Sequence, residues 1–242
     1  EAILPWYDAN KRDLPWRQDR QPYHVWLSEI MLQQTRVEAV KGYYARFLEK
    51  LPDIRALAEC DDETLHKLWE GLGYYSRVRN LKKAARQIME QWHGRFPETY
   101  EGVRSLPGIG PYTAGAICSI AYNMPTPAVD GNVLRVLSRL RMDGEYINLP
   151  AVKKRVEAEL LEVMPKDRPG DFNQALMELG ATVCIPNGEP KCSICPWNFL
   201  CMAKENGCVS EYPKREEKKK RTIEKKTVLI LKEGERIAIQ KR

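Results

Sequence analysis

Ser105-Leu106-Pro107-Gly108-Ile109-Gly110-Pro111-Tyr112-Thr113-Ala114-Gly115-Ala116-Ile117 carries the strongest architectural signal in this chain. An apolar run follows it, then Pro127-Ala128-Val129-Asp130-Gly131-Asn132-Val133-Leu134-Arg135. Gly108 and Gly110 bracket Ile109 in a tight turn, and two close glycines let backbone N–H groups approach a ligand that a Cβ would push away. Pro111 suits the first position of a following helix, where its missing N–H costs nothing. A turn that aims N–H groups outward at a helix start is an anion site. With an apolar helix on each side, the expected anion is a DNA phosphate. Alone, Gly-x-Gly reads equally well as an ordinary helix–helix turn, so the weight falls on its flanks.

Toward the N-terminus, residues 1–12 read as the end of a helix, broken by Arg12-Asp13-Leu14-Pro15-Trp16-Arg17. Tyr23 to Gln34 and Val37 to Leu51 carry helical apolar spacing. Asp61-Asp62-Glu63 is a capped helix start. Gly71 to Ser76 is a turn before a long basic helix with Leu81, Ala85, Ile88 and Trp92 inward and Arg77, Arg79, Lys82 and Lys83 near its start. Toward the C-terminus, helices are expected from Tyr112, over Gly131–Arg141, over Ala151–Met164 and over Asp171–Cys184. Almost nothing alternates with period two before Thr227, so the fold class is all-α, without a clear internal repeat. Lys214 to Lys226 is a charge run, read as a solvated linker. Val228-Leu229-Ile230-Leu231 and Ile237-Ala238-Ile239 flank Lys-Glu-Gly-Glu as a β-hairpin. A lone hairpin is not independently stable, which leads to the expectation that it begins a further, truncated β-containing domain.

The 242 residues suffice for one large domain or two lobes. A net charge of +6 favours a polyanionic partner without requiring one. No apolar run is long enough to span a membrane, and nothing resembles a signal peptide. The chain reads as an intracellular protein.

Cys184, Cys192, Cys195 and Cys201 fall within eighteen residues, with spacings x7, x2 and x5. In an intracellular chain such a group points to Zn²⁺ or an iron–sulfur cluster, and spacing alone leaves both open. Cys60 and Cys118 sit in apolar helical contexts and read as core. Two carboxyls stand out. Glu29, in Ser28-Glu29-Ile30-Met31-Leu32-Gln33-Gln34-Thr35, has Val25, Trp26 and Leu32 at helical spacing, surroundings that raise a carboxyl pKa. Asp130 opens a helix at Gly131-Asn132, where free N–H groups favour the charged form. Read singly, one is a surface glutamate and the other an ordinary helix cap. Facing one cleft, they would be an acid and a charge stabiliser.

Leu-Pro-Trp-Arg at 14–17, Ser-Glu-Ile-Met-Leu-Gln-Gln-Thr at 28–35, Gly-Leu-Gly-Tyr-Tyr-Ser-Arg at 71–77, Gly-Ile-Gly-Pro-Tyr-Thr at 108–113, Val-Asp-Gly-Asn-Val at 129–133 and the cysteine loop together resemble the adenine DNA glycosylases of the endonuclease III, helix-hairpin-helix superfamily. The resemblance runs from about Pro5 to Cys208. It implies a monomer that acts on double-stranded DNA with adenine mispaired with 8-oxoguanine or guanine. It also implies two helical lobes with the active site between them. One is a six-helix module over 17–125. The other, formed by 1–16 and 126–209, holds a 4Fe–4S cluster on Cys184, Cys192, Cys195 and Cys201. Residues 210–226 would be the charged linker and 227–242 the start of a Nudix-like domain that reads the oxidised guanine. The family's first cysteine spacing is usually x6, which makes Cys208 a spare candidate here, and the cluster would fix a loop bearing Lys191 against phosphates.

Position by position, the resemblance makes Glu29 the acid at adenine N7 and later the handler of water. Asp130 would stabilise the oxocarbenium-like sugar, by charge or through a covalent intermediate. Tyr112 and Asn132 would orient them. Arg12, Trp16, Arg17 and Leu32 would line the pocket for the flipped base. Tyr74 and Gln34, beside Thr35, would fill the gap in the stack, and Gly108 and Gly110 would meet phosphate. Some relatives have Glu where this chain has Gln174, which stays outside the chemistry. The competing expectations are a thymine-mismatch or oxidised-pyrimidine glycosylase and a non-catalytic DNA-binding scaffold. Glu29 in its context speaks against the first. Retention of Glu29, Asp130 and Asn132 together speaks against the second, because phosphate binding gains nothing from carboxylates.

Overall fold

The computed structural model describes residues 2–216, 224–225, 227 and 231–238. In chain order the helices are α1 (Ile3–Asn10), α2 (Pro22–Met31), α3 (Val37–Lys50), α4 (Ile54–Glu59), α5 (Asp62–Leu68), α6 (Ser76–Gln91), α7 (Tyr100–Arg104), α8 (Pro111–Tyr122), α9 (Gly131–Arg141), α10 (Pro150–Val163), α11 (Pro169–Thr182) and α12 (Met202–Glu205). The architecture is helical, as the periodicity predicts. Among the described residues no helix is long and apolar enough to cross a membrane.

The short helices α4 and α7 have no counterpart in the sequence reading. Each occupies little more than one turn, too short for an apolar period to show. Their caps do the work instead. Asp53 accepts from the Ala56 amide (2.8 Å) and Thr99 from the Gly102 amide (3.1 Å). The expected hairpin pairs more tightly than the pattern suggests. Strand β1 (Lys232–Glu233) lies antiparallel to β2 (Arg236–Ile237), so Lys232 and Glu233 join the ladder and only Gly234-Glu235 turn. Val228 to Ile230, Ile239 and most of the charge run lie outside the described residues.

The buried apolar residues form two clusters. The first gathers α2 through α8 around Trp26, Phe47, Trp69, Leu81, Ile88 and Ile117, and it also takes in Leu14, Trp16 and Ala128. The second unites Ile3 and Tyr7 of α1 with Val133, Leu137, Val156, Leu160, Leu176 and Leu179. Helix α11 packs on α1, α8 and α9, and so touches both. Fully buried Asn173 on α11 fastens the segment entering α9. Its amide donates to Ser119 Oγ (2.8 Å) and Thr126 O (2.9 Å), and its Oδ1 accepts from the Ala128 amide (3.1 Å).

Helix α2 is buried along nearly its whole length from Tyr23 to Met31, as befits a helix without a polar face. Glu29 is therefore carried into the core by its own helix. Of the cations near the start of α6, Arg77 and Lys82 are buried. Lys82 meets Asp62, and Arg77 bonds backbone.

Candidate active site

Between the two apolar clusters lies a cavity of about 230 Å³ lined by Arg12, Trp16, Arg17, Glu29, Leu32, Thr35, Tyr112, Asp130, Asn132, Gln174, Met177 and Glu178, among others. It unites the two carboxyls, although they are a hundred residues apart in the chain. Glu29 is 8% exposed. Burial pushes its pKa up to about 7, with the charge of Asp130 adding to the rise and Tyr112 and Arg17 opposing it. The Tyr112 hydroxyl faces both the Glu29 carboxyl and Met177 Sδ (3.5 Å). The hydroxyl donates to the Met177 thioether, and its interaction with the Glu29 carboxyl opposes the rise of that carboxyl's pKa. Burial and the adjoining carboxylates hold that phenol well above its ordinary pKa.

Asp130 is the cap of α9. Its Oδ1 accepts from the amides of Asn132 and Val133 (both 2.9 Å), and its Oδ2 accepts from Asn132 Nδ2 (2.7 Å). Three N–H donors at the positive end of a helix suit a fixed negative charge. Asn132 is fixed in turn, its Oδ1 accepting from Arg135 (2.8 Å). Its backbone lies so close to α11 that a Cβ on Gly180 would stand 2.5 Å from Asn132 Cβ.

Glu178 is the residue that sequence reasoning missed. It is 1% exposed, and both oxygens are engaged by cations. Arg12 Nε and NH2 donate to it at 2.6 and 3.0 Å, and Arg17 NH2 at 2.8 Å, while Arg17 NH1 also donates to Arg12 O (3.1 Å). Burial opposes ionisation of Glu178, but the two guanidiniums win and hold its pKa below the ordinary value. The only sequence signal was a Glu in a strongly apolar stretch of α11.

Gln34 and Tyr74 are not in the cavity. They sit exposed on two neighbouring loops, both with left-handed backbones, φ 57° and 46°. The hairpin of Gly108 and Gly110 also lies apart from it. Gly108 has φ +81°, and a Cβ there would meet Asn80 at 2.9 Å. Gly110 needs no special conformation but has open space around it. The first intrahelical bond of α8 runs from the Ala114 amide to Gly110 O (2.9 Å), leaving the amides of Tyr112 and Thr113 without an intrahelical acceptor.

Cys184, Cys192, Cys195 and Cys201 wall one small cavity with Arg139 and Lys204, and Cys208 is not part of that wall. Burial raises the Cys195 thiol to about 11, with the charges of Cys184, Cys201 and Cys192 adding to it. Cys192 is raised likewise. Arg139 NH1 donates to Cys184 Sγ (3.3 Å). Among the described residues no group of three or more His, Cys, Asp or Glu could hold a single metal ion. Four sulfurs around one space are a donor set that suits either Zn²⁺ or an iron–sulfur cluster.

Residues 27–166 match the HhH-GPD superfamily of base excision DNA repair proteins. The chain is 49% identical to the adenine DNA glycosylase of Mus musculus over 83% of its own length, and 47% identical to that of Homo sapiens over 84%. It spans about two fifths of those relatives, 41% and 39%. Among solved structures, a thermostable thymine-DNA glycosylase superposes with a TM-score of 0.77 at 31% identity, covering 85% of this chain and 94% of that one.

Proposed function

This chain belongs to the HhH-GPD superfamily of base excision DNA repair proteins, and on that premise we propose that it is an adenine DNA glycosylase that hydrolyses the N-glycosidic bond of adenine mispaired with 8-oxoguanine or guanine. The observation that carries the reading is Glu29. It is a buried carboxyl, protonated to about pH 7, in one cavity with a carboxylate that three N–H groups hold in place. Two carboxyls with opposed environments divide acid and charge-stabilising roles.

With adenine flipped into the cavity, Glu29 donates its proton to ring N7. The C1′–N9 bond breaks and its electron pair leaves with the base. Asp130 faces the oxocarbenium-like sugar, fixed by Asn132 so that no reorganisation is needed as charge develops. Glu29, now ionised, takes a proton from the water whose oxygen bonds C1′, which restores the acid. Tyr112 orients Glu29. Arg12 and Arg17, held by Glu178, and Trp16 and Leu32 shape the pocket. Cys184, Cys192, Cys195 and Cys201 would hold a 4Fe–4S cluster, which would pin the loop of exposed Lys191 rather than serve the chemistry.

The likeness to a thymine-DNA glycosylase supports a second reading, excision of thymine from T:G mispairs. Single-turnover excision on A:8-oxoguanine, A:G, T:G and fully paired duplexes separates the two. Release of adenine from the first two duplexes is the expected result, and release of thymine alone would overturn the proposal.

A further inference from the structure

Arg77 opens the first turn of α6 and is 7% exposed. Its guanidinium is turned inward and spent on backbone. NH1 reaches Ile30 O (3.0 Å), Met31 O (2.9 Å), Gln33 O (2.6 Å) and Thr35 Oγ1 (3.3 Å). NH2 donates to Leu72 O (2.9 Å) and Gly73 O (3.2 Å). No carboxylate pairs with it among the described residues. Burying a cation without a counter-ion is costly, and a helix start does not require it.

The acceptors lie at the C-terminal end of α2 and in the turn that follows it (30–35), and in the turn 72–73. An exposed residue with a left-handed backbone lies in the first segment, Gln34 (φ 57°), and another directly follows the second, Tyr74 (φ 46°). For a bulky residue such as Tyr this conformation is an outlier that its surroundings must impose. The guanidinium also lies 5.6 Å from the Tyr74 ring centroid and 5.3 Å from that of Trp69, and Trp69 Nε1 donates to Gly73 O (3.1 Å). One planar fork thus ties together the two loops that project Gln34 and Tyr74.

We propose that Arg77 is a positioning residue that fixes Gln34 and Tyr74 as a single rigid wedge, the part of the molecule that enters the base stack when adenine is drawn out. It touches neither base nor sugar. The proposal rests on the reading of the chain as an adenine glycosylase. A lysine cannot reproduce it, because one ammonium cannot reach acceptors on both loops at once.

The test is Arg77→Lys in the full chain, on two duplexes. In one, adenine faces guanine; in the other it faces an abasic site, where the stack is already broken. The readouts are single-turnover excision and the fluorescence of 2-aminopurine beside the adenine. The expected result is a loss of about tenfold or more in the single-turnover excision rate on the first duplex with most of the fluorescence rise gone. On the second duplex the rate should stay within about twofold of the parent. Equal losses on both duplexes, as a merely destabilised fold would give, overturn the proposal, as does no loss on the first. If the lysine variant does not fold, Gly73→Ala replaces it. Gly73 has φ +70° with open space at its Cβ, so alanine strains the loop without a clash and must give the same duplex-selective loss. A parent protein inactive on both duplexes would instead overturn the functional reading, and this proposal with it.

Discussion

Glu29→Gln keeps the shape of the protonated acid and removes its transferable proton. A carboxyl of ordinary pKa 4.5 would be protonated in roughly one molecule in three hundred at pH 7, whereas at about 7 half the molecules are ready to donate. Loss of a general acid costs about 10²–10⁴-fold in rate, and the single-turnover rate of the variant should fall by at least that much while duplex binding survives. In the parent the rate should decline as pH rises through about 7.

The same burial makes a second, independent measurement. The folded-state pKa of Glu29 lies above the unfolded one, so its contribution to stability is intact below pH 4.5 and is lost progressively as pH rises through about 7. Ionising it in place costs the folded protein on the order of 3 kcal/mol. Glutamine never ionises. At pH 8 Glu29→Gln should therefore be the more stable protein by up to that amount, roughly 6–12 °C in Tm for a chain of this size, and near pH 4.5 the difference should vanish. Calorimetry at the two pH values, beside single-turnover excision, checks both limbs. A variant that excises adenine at the parent rate, or one that is no more stable at pH 8, would refute the reasoning.

Gly180→Ala should drive Asn132 away from Asp130, since the new methyl would stand 2.5 Å from Asn132 Cβ; the excision rate should fall while affinity for DNA, read by gel shift, changes little. Glu178→Ala leaves Arg12 and Arg17 without their common partner and should cost a few kcal/mol in urea unfolding and activity as well. Purified protein should be brown with about four irons per chain, and Cys184→Ser, not Cys208→Ser, should lose them; stoichiometric zinc would overturn this. Tyr112 is a phenol held well above its usual pKa and cannot form an imine, so borohydride should trap no protein–DNA adduct and strands should break only after alkali; Tyr112→Lys should gain some trapping if its amine reaches C1′.

The apolar surroundings of Glu29 were legible in the sequence because they lie on its own helix: Val25, Trp26 and Leu32 are local neighbours, and a buried α2 follows from their spacing. Asp130 was legible for the same reason, since the donors that fix it are the next residues of α9. Glu178 was not. What distinguishes it are Arg12 and Arg17, more than 160 positions away, and no periodicity within α11 says which cations α1 and its following turn will bring. Nor does the basic pattern of α6 say which cation turns inward: Arg77 is drawn in by carbonyls at the end of α2 and in the turns at 33 and 72–73.

The residues hidden from sequence reading are thus charged groups whose partners lie elsewhere in the chain, and their placement follows from the site's division between two cores. Glu29 is held by the first apolar cluster, and the helix that Asp130 caps belongs to the second. Neither core alone fixes the distance between the two carboxyls. Helix α11 touches both clusters. It carries Asn173, which ties down the segment entering α9, and Glu178, which grips the turn after α1, while its Gly180 lets Asn132 approach. Gly180→Ala adds a single methyl group that would stand 2.5 Å from Asn132 Cβ and 3.1 Å from its Cα, so it shifts the start of α9 against α11 together with the side chain that binds Asp130 Oδ2, and its loss of excision should come with a loss of stability.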